Sequence, residues 1–490
     1  MMFRGRLVIA LVLLSMFTSS VITLSIVDAP IVDKMKNQDV SGLSAKEVEQ
    51  LASTTGMSAI QLSKLLKAYE LIQQKYYRDV DGKQVMSGAI QGMITALDDP
   101  YSSYMDEEAA AQFKDSLESS FQGIGAEVTM RDGKLLIISP IKGSPAEKAG
   151  LRPNDQIISV NSETLAGLSL YDAVSKIRGP KGTQAKLEII RVGENEPIHV
   201  NVIREKIAVD TVYSQMLENG IGKIEITQFS EQTSDAFKQH LERLEAKGLK
   251  GLIIDVRNDP GGLLPEVINI CSQLVEKGKT IVRVEYGDGK QESYPSNGGS
   301  KTYPIMVLIN GGSASASEIL AAALHESSGA KLLGVTSFGK GTVQNTFQQE
   351  MGDNSNLKLT IGKWLTPNGT WIHKVGIKPD INVEQPDYFK VSPLSGKTIW
   401  QFDQADAEIK NAQIMLKALG FDSGRSDGYF NETTKLAVAA FQAKFKLPIT
   451  TKLDNATITG LQDQIRTLIS DPLNDKQLNR AVQEIQMMKK

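Results

Sequence analysis

Residues 310–344 read NGGSASASEILAAALHESSGAKLLGVTSFGKGTVQ, and this stretch combines glycine-rich turns, a helix pattern and a strand pattern. It follows the apolar run Ile305–Ile309, which has the composition of a buried strand. Serines at 313, 315 and 317 open the helical pattern. The first residues of a helix leave N–H groups unpaired and carry the positive end of its dipole, so they can stabilise a developing oxyanion. The stretch therefore predicts an α/β layer that presents a serine nucleophile.

A second strand pattern, residues 331–336, leads to Phe338-Gly339-Lys340-Gly341. Burial lowers the pKa of a lysine because desolvation disfavours its charged form, and a neutral lysine can accept a proton from a serine. Each feature also has a structural interpretation. The serines would cap the helix, and Lys340 would be a solvated turn residue.

Three motifs together resemble the catalytic core of the carboxyl-terminal processing, or tail-specific, proteases. They are Ser-Ala-Ser-Ala-Ser-Glu at 313–318, Phe-Gly-Lys-Gly at 338–341 and Val-Gln at 343–344. The resemblance extends from about residue 69 to residue 380. It implies that Ser315 is the nucleophile, that Lys340 is the base and that Gln344 orients the lysine. It also implies an α/β protease core built from crotonase-like strand–helix units.

A further glycine turn, Asp259-Pro260-Gly261-Gly262, follows the strand pattern 252–256, whose apolar character fits a sheet covered on both faces. In the resembled family this turn faces the nucleophile and supplies an oxyanion donor. The N–H of Ala316 and one N–H from Gly261 or Gly262 are therefore expected to hold the oxyanion. The family often has asparagine where this chain has Asp259, and the structural alternative is an ordinary tight turn.

Residues 121–206 resemble a PDZ domain, opening with Phe-Gln-Gly-Ile-Gly at 121–125. The N–H groups of Gly123, Ile124 and Gly125 are expected to point at a substrate's terminal carboxylate, while the substrate tail adds as an edge strand. Arg178, at the end of the predicted helix 169–177, is a candidate contact that reports whether the groove is occupied. The alternative for the two glycines is a hairpin turn.

The amino terminus carries Arg4 and Arg6 before a mainly apolar run at 7–27 that is long enough to cross a bilayer. Positive charge before such a run predicts a cytoplasmic amino terminus and an exported remainder. We therefore expect a single-pass membrane protein with its catalytic part outside the cytoplasm. The alternative is a cleaved signal peptide, which would give a secreted or wall-associated protein.

Residues 404–461 resemble a three-helix peptidoglycan-binding module, so peptidoglycan is an expected partner; the alternative is a small stabilising appendage. The amino-terminal helices are expected either to form an arm for homodimer contact or to cap the same chain. The predicted organisation is a multidomain α+β chain. Its predicted parts are a membrane segment at 1–28, a helical region at 29–110, a PDZ domain at 111–206, a protease core at 207–395 with part of 69–110, a wall-binding module at 404–465 and a tail at 466–490.

Composition excludes several function classes. A net charge of −3 gives no reason to expect nucleic acid as a partner. The single cysteine, Cys271, cannot form an intrachain disulfide and sits in an apolar pattern typical of a core residue. The sequence has no His-Glu-x-x-His motif and no metal-ligand cluster, so neither a metal nor another cofactor is expected.

Two alternatives to a serine–lysine protease remain at this point. A Ser–His–acid triad would need a nearby histidine, and His373 is the candidate that a folded-back hairpin could supply. His325 lies ten residues after Ser315, which is about 15 Å along a helix. This distance is too long for proton transfer between the two side chains. A non-catalytic PDZ and wall-binding scaffold is the other alternative, although it would not need Ser315, Lys340 and Gln344. Glu318 and Glu326 are expected to be structural or to lie on a helix surface.

Overall fold

The computed structural model describes residues 45–488 except positions 119, 132, 142, 153, 169, 192, 193, 195, 209 and 397. The chain forms two compact units that divide after Tyr104 and are described separately. The predicted membrane segment at 1–28 lies outside the described residues. Within the described part of the chain, no helix is both long and apolar enough to cross a bilayer.

The first unit contains helices that follow one another closely in the chain. Ser58 begins the second of them: its hydroxyl accepts a hydrogen bond from the N–H of Gln61 at 3.2 Å, and the Gln61 side chain accepts one from the N–H of Ser58 at 2.8 Å. This reciprocal capping satisfies two N–H groups that a helix start leaves unpaired. The elements are α1 (Ala45–Thr55), α2 (Ala59–Lys75), α3 (Gly82–Thr95) and the short strand β1 (Ser103–Met105).

The second unit begins with a helix and the predicted PDZ region. Strand β2 pairs antiparallel with β9, and the strands between them form an antiparallel sheet of order β3-β4-β5-β7-β8, with β6 beside β5. Ile137, Ile157 and Leu187 are buried between this sheet and helix α6. The elements are α4 (Glu107–Leu117), β2 (Ser120–Gly123), β3 (Ala126–Arg131), β4 (Lys134–Pro140), α5 (Pro145–Lys148), β5 (Gln156–Val160), β6 (Glu163–Thr164), α6 (Leu170–Ile177), β7 (Gln184–Ile190), β8 (Ile198–Ile203) and β9 (Glu205–Ala208).

The predicted protease core contains a mostly parallel sheet of order β10-β11-β12-β15-β16-β19, in which only the β10–β11 pair is antiparallel. Helices follow β11, β12 and β15 in strand–helix succession, as predicted. An antiparallel sheet of β17, β18, β13 and β14 packs beside it. The elements are β10 (Val212–Met216), β11 (Ile221–Ile226), α7 (Thr233–Ala246), β12 (Gly251–Asp255), α8 (Leu264–Ser272), β13 (Thr280–Tyr286), β14 (Gln291–Pro295), β15 (Ile305–Ile309), α9 (Ala316–Ser328), β16 (Lys331–Gly334), β17 (Thr342–Thr346), α10 (Gln348–Met351), β18 (Asn356–Leu365) and β19 (Ile381–Asn382).

Both faces of the parallel sheet are covered, because β12 and β15 are buried along their whole length. Helices α7, α8 and α9 cover one face, where Cys271 is a core residue as predicted. The other face packs against the last helix of the chain, α14 (Lys476–Met488), through Leu478, Ala481 and Ile485. Helix α14, which falls within the segment predicted only as a tail at 466–490, is thus part of the core of the protease sheet.

The carboxyl-terminal module consists of α11 (Ala407–Ala418), α12 (Glu432–Lys444) and α13 (Asn455–Ser470) around a shared apolar core. The segment before it wraps onto that core, since Leu394 is buried there and Tyr388 and Val391 pack against it. Arg257, just after β12, joins the sheet to the connection between α13 and α14. Its guanidinium is paired with Asp255 and with Asp475, in each case at 2.7 Å.

Candidate active site

Ser315 lies at the turn between β15 and α9 with φ 55° and ψ −112°. A non-glycine residue in this left-handed region is strained by about 1–3 kcal/mol, and a serine on a sharp strand-to-helix turn presents its hydroxyl outward. The flanking serines serve the turn instead. The Ser313 hydroxyl donates to the carbonyl of Val256 at 2.7 Å, and the Ser317 hydroxyl donates to the carbonyl of Asp259 at 2.9 Å. Of the three serines, Ser315 is therefore the one left for chemistry.

The glycine turn after β12 lies directly against this serine. A Cβ on Gly261, whose φ is 96°, would come within 2.9 Å of the Ser315 Cβ and 2.8 Å of the Ala316 nitrogen. Only glycine tolerates both the backbone conformation and the contact. The turn and the start of α9 are also joined by a hydrogen bond from the N–H of Ala314 to the carbonyl of Asp259 at 3.0 Å.

The predicted oxyanion donors differ in availability. The N–H of Gly261 already donates to the Asp259 carboxylate at 2.8 Å. The N–H of Phe229 donates to the Gly261 carbonyl, and the N–H of Leu263 donates to the Phe229 carbonyl. Because these two groups of the turn face Phe229, the N–H of Gly262 between them points away from Phe229. Among the described residues, the N–H groups of Gly262 and Ala316 have no acceptor. These two groups are the donors that a ligand in this turn can use.

Glu318, the third residue of α9, has a fully buried carboxylate. Its Oε2 accepts hydrogen bonds from the N–H of Ser315 and the N–H of Lys340, each at 2.9 Å. Its Oε1 accepts from the N–H of Gly339 at 2.7 Å and from the Ser337 hydroxyl at 2.6 Å. One carboxylate therefore joins the serine turn to the lysine turn. Of the two expected alternatives, a structural role or a helix-surface position, Glu318 has the structural one, and the Ser-x-x-Glu spacing of a capped helix start was the signal for it.

Two tryptophans fix the lysine turn from the other side. The indole N–H of Trp364 donates to the carbonyl of Lys340 at 2.8 Å, and that of Trp371 donates to the carbonyl of Gly341 at 2.9 Å. The His373 ring stacks on Trp371, with ring centroids 5.2 Å apart, and its Nδ1 accepts the N–H of Gly341 at 3.3 Å. His373 thus supports the backbone of the lysine turn.

Gln344 lies on β17 beside the lysine turn. Its amide nitrogen donates to the hydroxyls of Thr342 at 2.9 Å and Thr360 at 3.1 Å. With the amide nitrogen on these two hydroxyls, the carbonyl oxygen is the end of the side chain that is left to accept from a lysine.

The predicted catalytic and oxyanion residues line one cleft of about 620 Å³. They are Ser315, Lys340, Gln344, Ala316, Gly261 and Gly262. None of the four histidines, all within the described residues, lines this cleft. The alternative of a triad through His373 finds no support in this arrangement.

The PDZ residues lie apart from the cleft. Ile124 is buried in the PDZ core, and the N–H groups of Ile124 and Gly125 have no acceptor among the described residues. Arg178 lies over the Phe121 ring at 5.1 Å, and both line a cavity of about 200 Å³. That cavity shares two of its lining residues, Ser116 and Gln228, with the catalytic cleft. The cavity beside Arg178 is therefore next to the cleft, whereas Gly123, Ile124 and Gly125 line neither of them.

Comparison with known proteins identifies the family. Residues 220–383 match peptidase family S41, and the carboxy-terminal processing protease CtpB of Bacillus subtilis (strain 168) is 48% identical over 428 residues, covering 86% of this chain and 89% of that protein. The chain belongs to peptidase family S41. It is a serine-type peptidase of the carboxy-terminal processing kind, since CtpA of the same organism is also 46% identical over 437 residues, covering 89% of this chain and 92% of that one.

Further matches cover the other parts of this S41 protease. Residues 24–109 match the N-terminal domain of the activating protease CtpB, residues 136–191 a PDZ domain and residues 405–461 a peptidoglycan binding domain. Among solved structures, the photosystem II D1 C-terminal processing protease is 28% identical with a TM-score of 0.41, covering 69% of this chain and 92% of that one.

Asp259 of the S41 protease is a buried titratable group in the glycine turn beside Ser315. Its side chain is fully buried, with Oδ1 bonded to the N–H of Gly261 and no partner for Oδ2 among the described residues. Burial raises the pKa of this carboxyl from 3.8 to about 7, against the opposing effect of the Gly261 hydrogen bond. The folded protein therefore holds this proton at pH values where the unfolded chain has lost it.

Replacing Asp259 with Asn is expected to stabilise the protease at about pH 8 and to change little at about pH 4. The folded wild type binds more protons than the unfolded chain between its two pKa values, so its stability falls as the pH rises through this window. At about 1.4 kcal/mol per pKa unit, the full effect is on the order of 4 kcal/mol. Urea unfolding of both proteins at the two pH values checks this. An unchanged difference between wild type and variant across pH would contradict a buried, titrating Asp259.

Proposed function

We propose that the chain is a serine endopeptidase with a Ser315–Lys340 dyad that cleaves exported or membrane-associated proteins selected by their carboxyl-terminal tails. One observation carries the dyad. Ser315, Lys340 and the unpaired N–H of Ala316 face a single cleft that no histidine lines. A scaffold would not need a strained serine, a lysine and two spare N–H donors at one place.

In the proposed reaction, the neutral amine of Lys340 takes the hydroxyl proton of Ser315 while Oγ attacks a peptide carbonyl. The N–H groups of Ala316 and Gly262 bind the oxyanion, at the positive end of α9. The protonated Lys340 then gives its proton to the leaving amine, and water hydrolyses the acyl-enzyme by the reverse sequence. Gln344 accepts a hydrogen bond from Lys340 and thereby fixes its rotamer.

Selection by the tail is expected to require a free carboxylate. The N–H groups of Ile124 and Gly125 are available to bind it, and Gly123 lies beside Phe121 and Arg178. Amidating the carboxyl terminus of a substrate should therefore lower kcat/KM by about tenfold or more, because charge-assisted bonds to N–H groups are lost. Steady-state kinetics on paired free-acid and amide peptides measure this. Equal kinetics for the two peptides would count against recognition by the PDZ domain.

We also propose that the protease acts outside the cytoplasm, held by the segment at 7–27 and by binding to peptidoglycan. Arg4 and Arg6 before the apolar run support the orientation, and the match at 405–461 supports the wall. The full chain should stay in the membrane fraction with a mature amino terminus that still contains residue 7. A mature chain that begins after Ala29 would contradict the anchor and favour a cleaved signal.

A test of peptidoglycan binding needs a fragment of the chain that keeps the apolar core of the carboxyl-terminal module. Residues 386–474 include Leu394 and all three module helices, whereas truncation of the chain after Asp380 would also remove α14 from the protease sheet. The fragment is expected to sediment with purified peptidoglycan, and the PDZ region at 120–208 serves as the control that should stay in solution. A fragment that is folded yet stays in the supernatant would remove the wall-binding proposal.

Pairing of two copies through the amino-terminal helices stays a prediction. Large apolar side chains of α2, including Ile60, Leu65 and Leu71, are exposed. Analytical ultracentrifugation of residues 45–490, with and without substitution of these three residues by serine, would detect the dimer. A monomer in both cases would rule it out.

A further inference from the structure

The described residues that line the catalytic cleft include two lysines, Lys340 and Lys358, and no aspartate or glutamate. Most other side chains there are apolar, among them Leu263 and Ile319. Lys358 is the lysine of this cleft that the proposed dyad does not use. We propose that Lys358 is a specificity-determining residue, which selects substrates with an acidic side chain two or three residues from the cleaved bond. This inference rests on the proposed function.

The position of Lys358 follows from the pairing of β17 with β18. Gln344 lies opposite Thr360, to which its amide donates at 3.1 Å, and Thr346 lies opposite Lys358. Side chains two residues apart on a strand share a face and are about 7 Å apart, so Lys358 shares the face of Thr360, two pairs along the ladder from Gln344. An extended substrate advances about 3.3 Å per residue. Two or three residues of such a substrate span about 7–10 Å, which matches the step from Gln344 to Lys358, so we expect a side chain two or three positions from the cleaved bond to meet Lys358.

The charge of Lys358 is available for such a contact. Its side chain is half-buried, and no carboxylate of the described residues forms an ion pair with it, whereas Lys363 on the same strand is paired with Glu285 at 2.6 Å. The Lys358 ammonium lies 5.2 Å from the centroid of the Phe113 ring on α4. A substrate carboxylate can therefore bind without breaking an existing ion pair, in a cleft where partial exclusion of water strengthens the attraction.

A purely structural role for Lys358 makes a different prediction. If the lysine only holds α4 against the cleft through Phe113, its loss would change the cleavage of every substrate by the same factor. A specificity role changes the ratio between acidic and neutral substrates, and it does so mainly in KM because the contact lies away from the reacting atoms. The ratio is therefore the quantity to measure.

The test uses peptides that are identical in length and carboxyl-terminal tail, so that the PDZ contact stays constant. Mass spectrometry first locates the cleaved bond in a neutral peptide. Glu, Gln or Lys is then placed in turn at each position two or three residues to either side. For wild type, kcat/KM for the Glu peptide is expected to exceed that for the Gln peptide by about tenfold at one of these positions, with Lys disfavoured by a similar factor. This preference should shrink at about 0.5 M salt.

Lys358→Gln should abolish the preference while still cleaving the Gln peptide, and Lys358→Glu should reverse it. Lys290→Gln is the matched control, since it removes the same charge from an exposed hairpin and should keep the preference. The inference would be overturned if Lys358→Gln kept the acidic preference or if wild type lacked it. In either case, cleavage of the Gln peptide would leave the proposed function intact. Failure of folded wild type to cleave any peptide would overturn both.

Discussion

Replacing Ser315 with Ala, or Lys340 with Ala, is expected to lower kcat/KM for a protein substrate at least about 10⁴-fold. Loss of either member of a nucleophile–base pair removes proton transfer and covalent catalysis together, and such losses reach about 10⁶-fold in serine proteases. The fold should be unaffected, because the hydrogen bonds of the serine turn come from the backbone and from Ser313, Ser317 and Glu318. Cleavage kinetics and circular dichroism measure the two effects.

The double variant provides the control for this pair. If Ser315 and Lys340 act as one unit, losing both should cost no more than losing one, since their contributions are not additive. His373→Ala should lower activity far less, because His373 supports the backbone of Gly341 and does not line the cleft. Full activity in Ser315→Ala or in Lys340→Ala would contradict the proposed dyad. A loss in His373→Ala as deep as in Ser315→Ala would revive the triad.

Replacing Glu318 with Ala is expected to lower kcat about 10²- to 10³-fold with little change in KM. Its carboxylate accepts hydrogen bonds from Ser315, Ser337, Gly339 and Lys340, and removal leaves these buried donors without an acceptor. A displacement of about 1 Å between nucleophile and base is enough to cost about 10²-fold in rate. Glu318→Gln should give an intermediate loss, because its amide keeps one acceptor oxygen but brings an NH₂ group against donors.

Glu326→Ala is the matched control for Glu318. Glu326 belongs to the same helix, and its Oε2 accepts one backbone N–H, that of Asn368, at 2.8 Å, on the protein surface. This variant should stay within about twofold of wild type, as is usual for surface substitutions. A serine-reactive probe gives a second readout, since a positioning role for Glu318 requires that labelling of Ser315 falls in parallel with kcat. An unchanged labelling rate in folded Glu318→Ala would contradict that role.

The sequence alone determined the elements whose signals are local. An apolar run before Asn310, small residues after it and a 3.6-residue period predicted β15, the serine turn and α9. Glycines marked the turns at 261 and 339, because only glycine tolerates those conformations and contacts. The ordered motifs identified the protease and PDZ regions, which the comparisons bear out.

The tertiary structure decided the features that depend on burial and on partners far apart in the chain. Glu318 accepts hydrogen bonds from Gly339 and Lys340 because folding brings these residues to a helix that begins more than twenty residues earlier. Helix α14 belongs to the protease core because its apolar face meets a sheet completed about ninety residues before it. Among the described residues, no carboxylate lines the cleft beside Lys358, and burial removes the water that would otherwise keep the pKa of Asp259 low. Periodicity and spacing report the local geometry of the backbone, whereas desolvation and partnership exist only once distant segments have packed together.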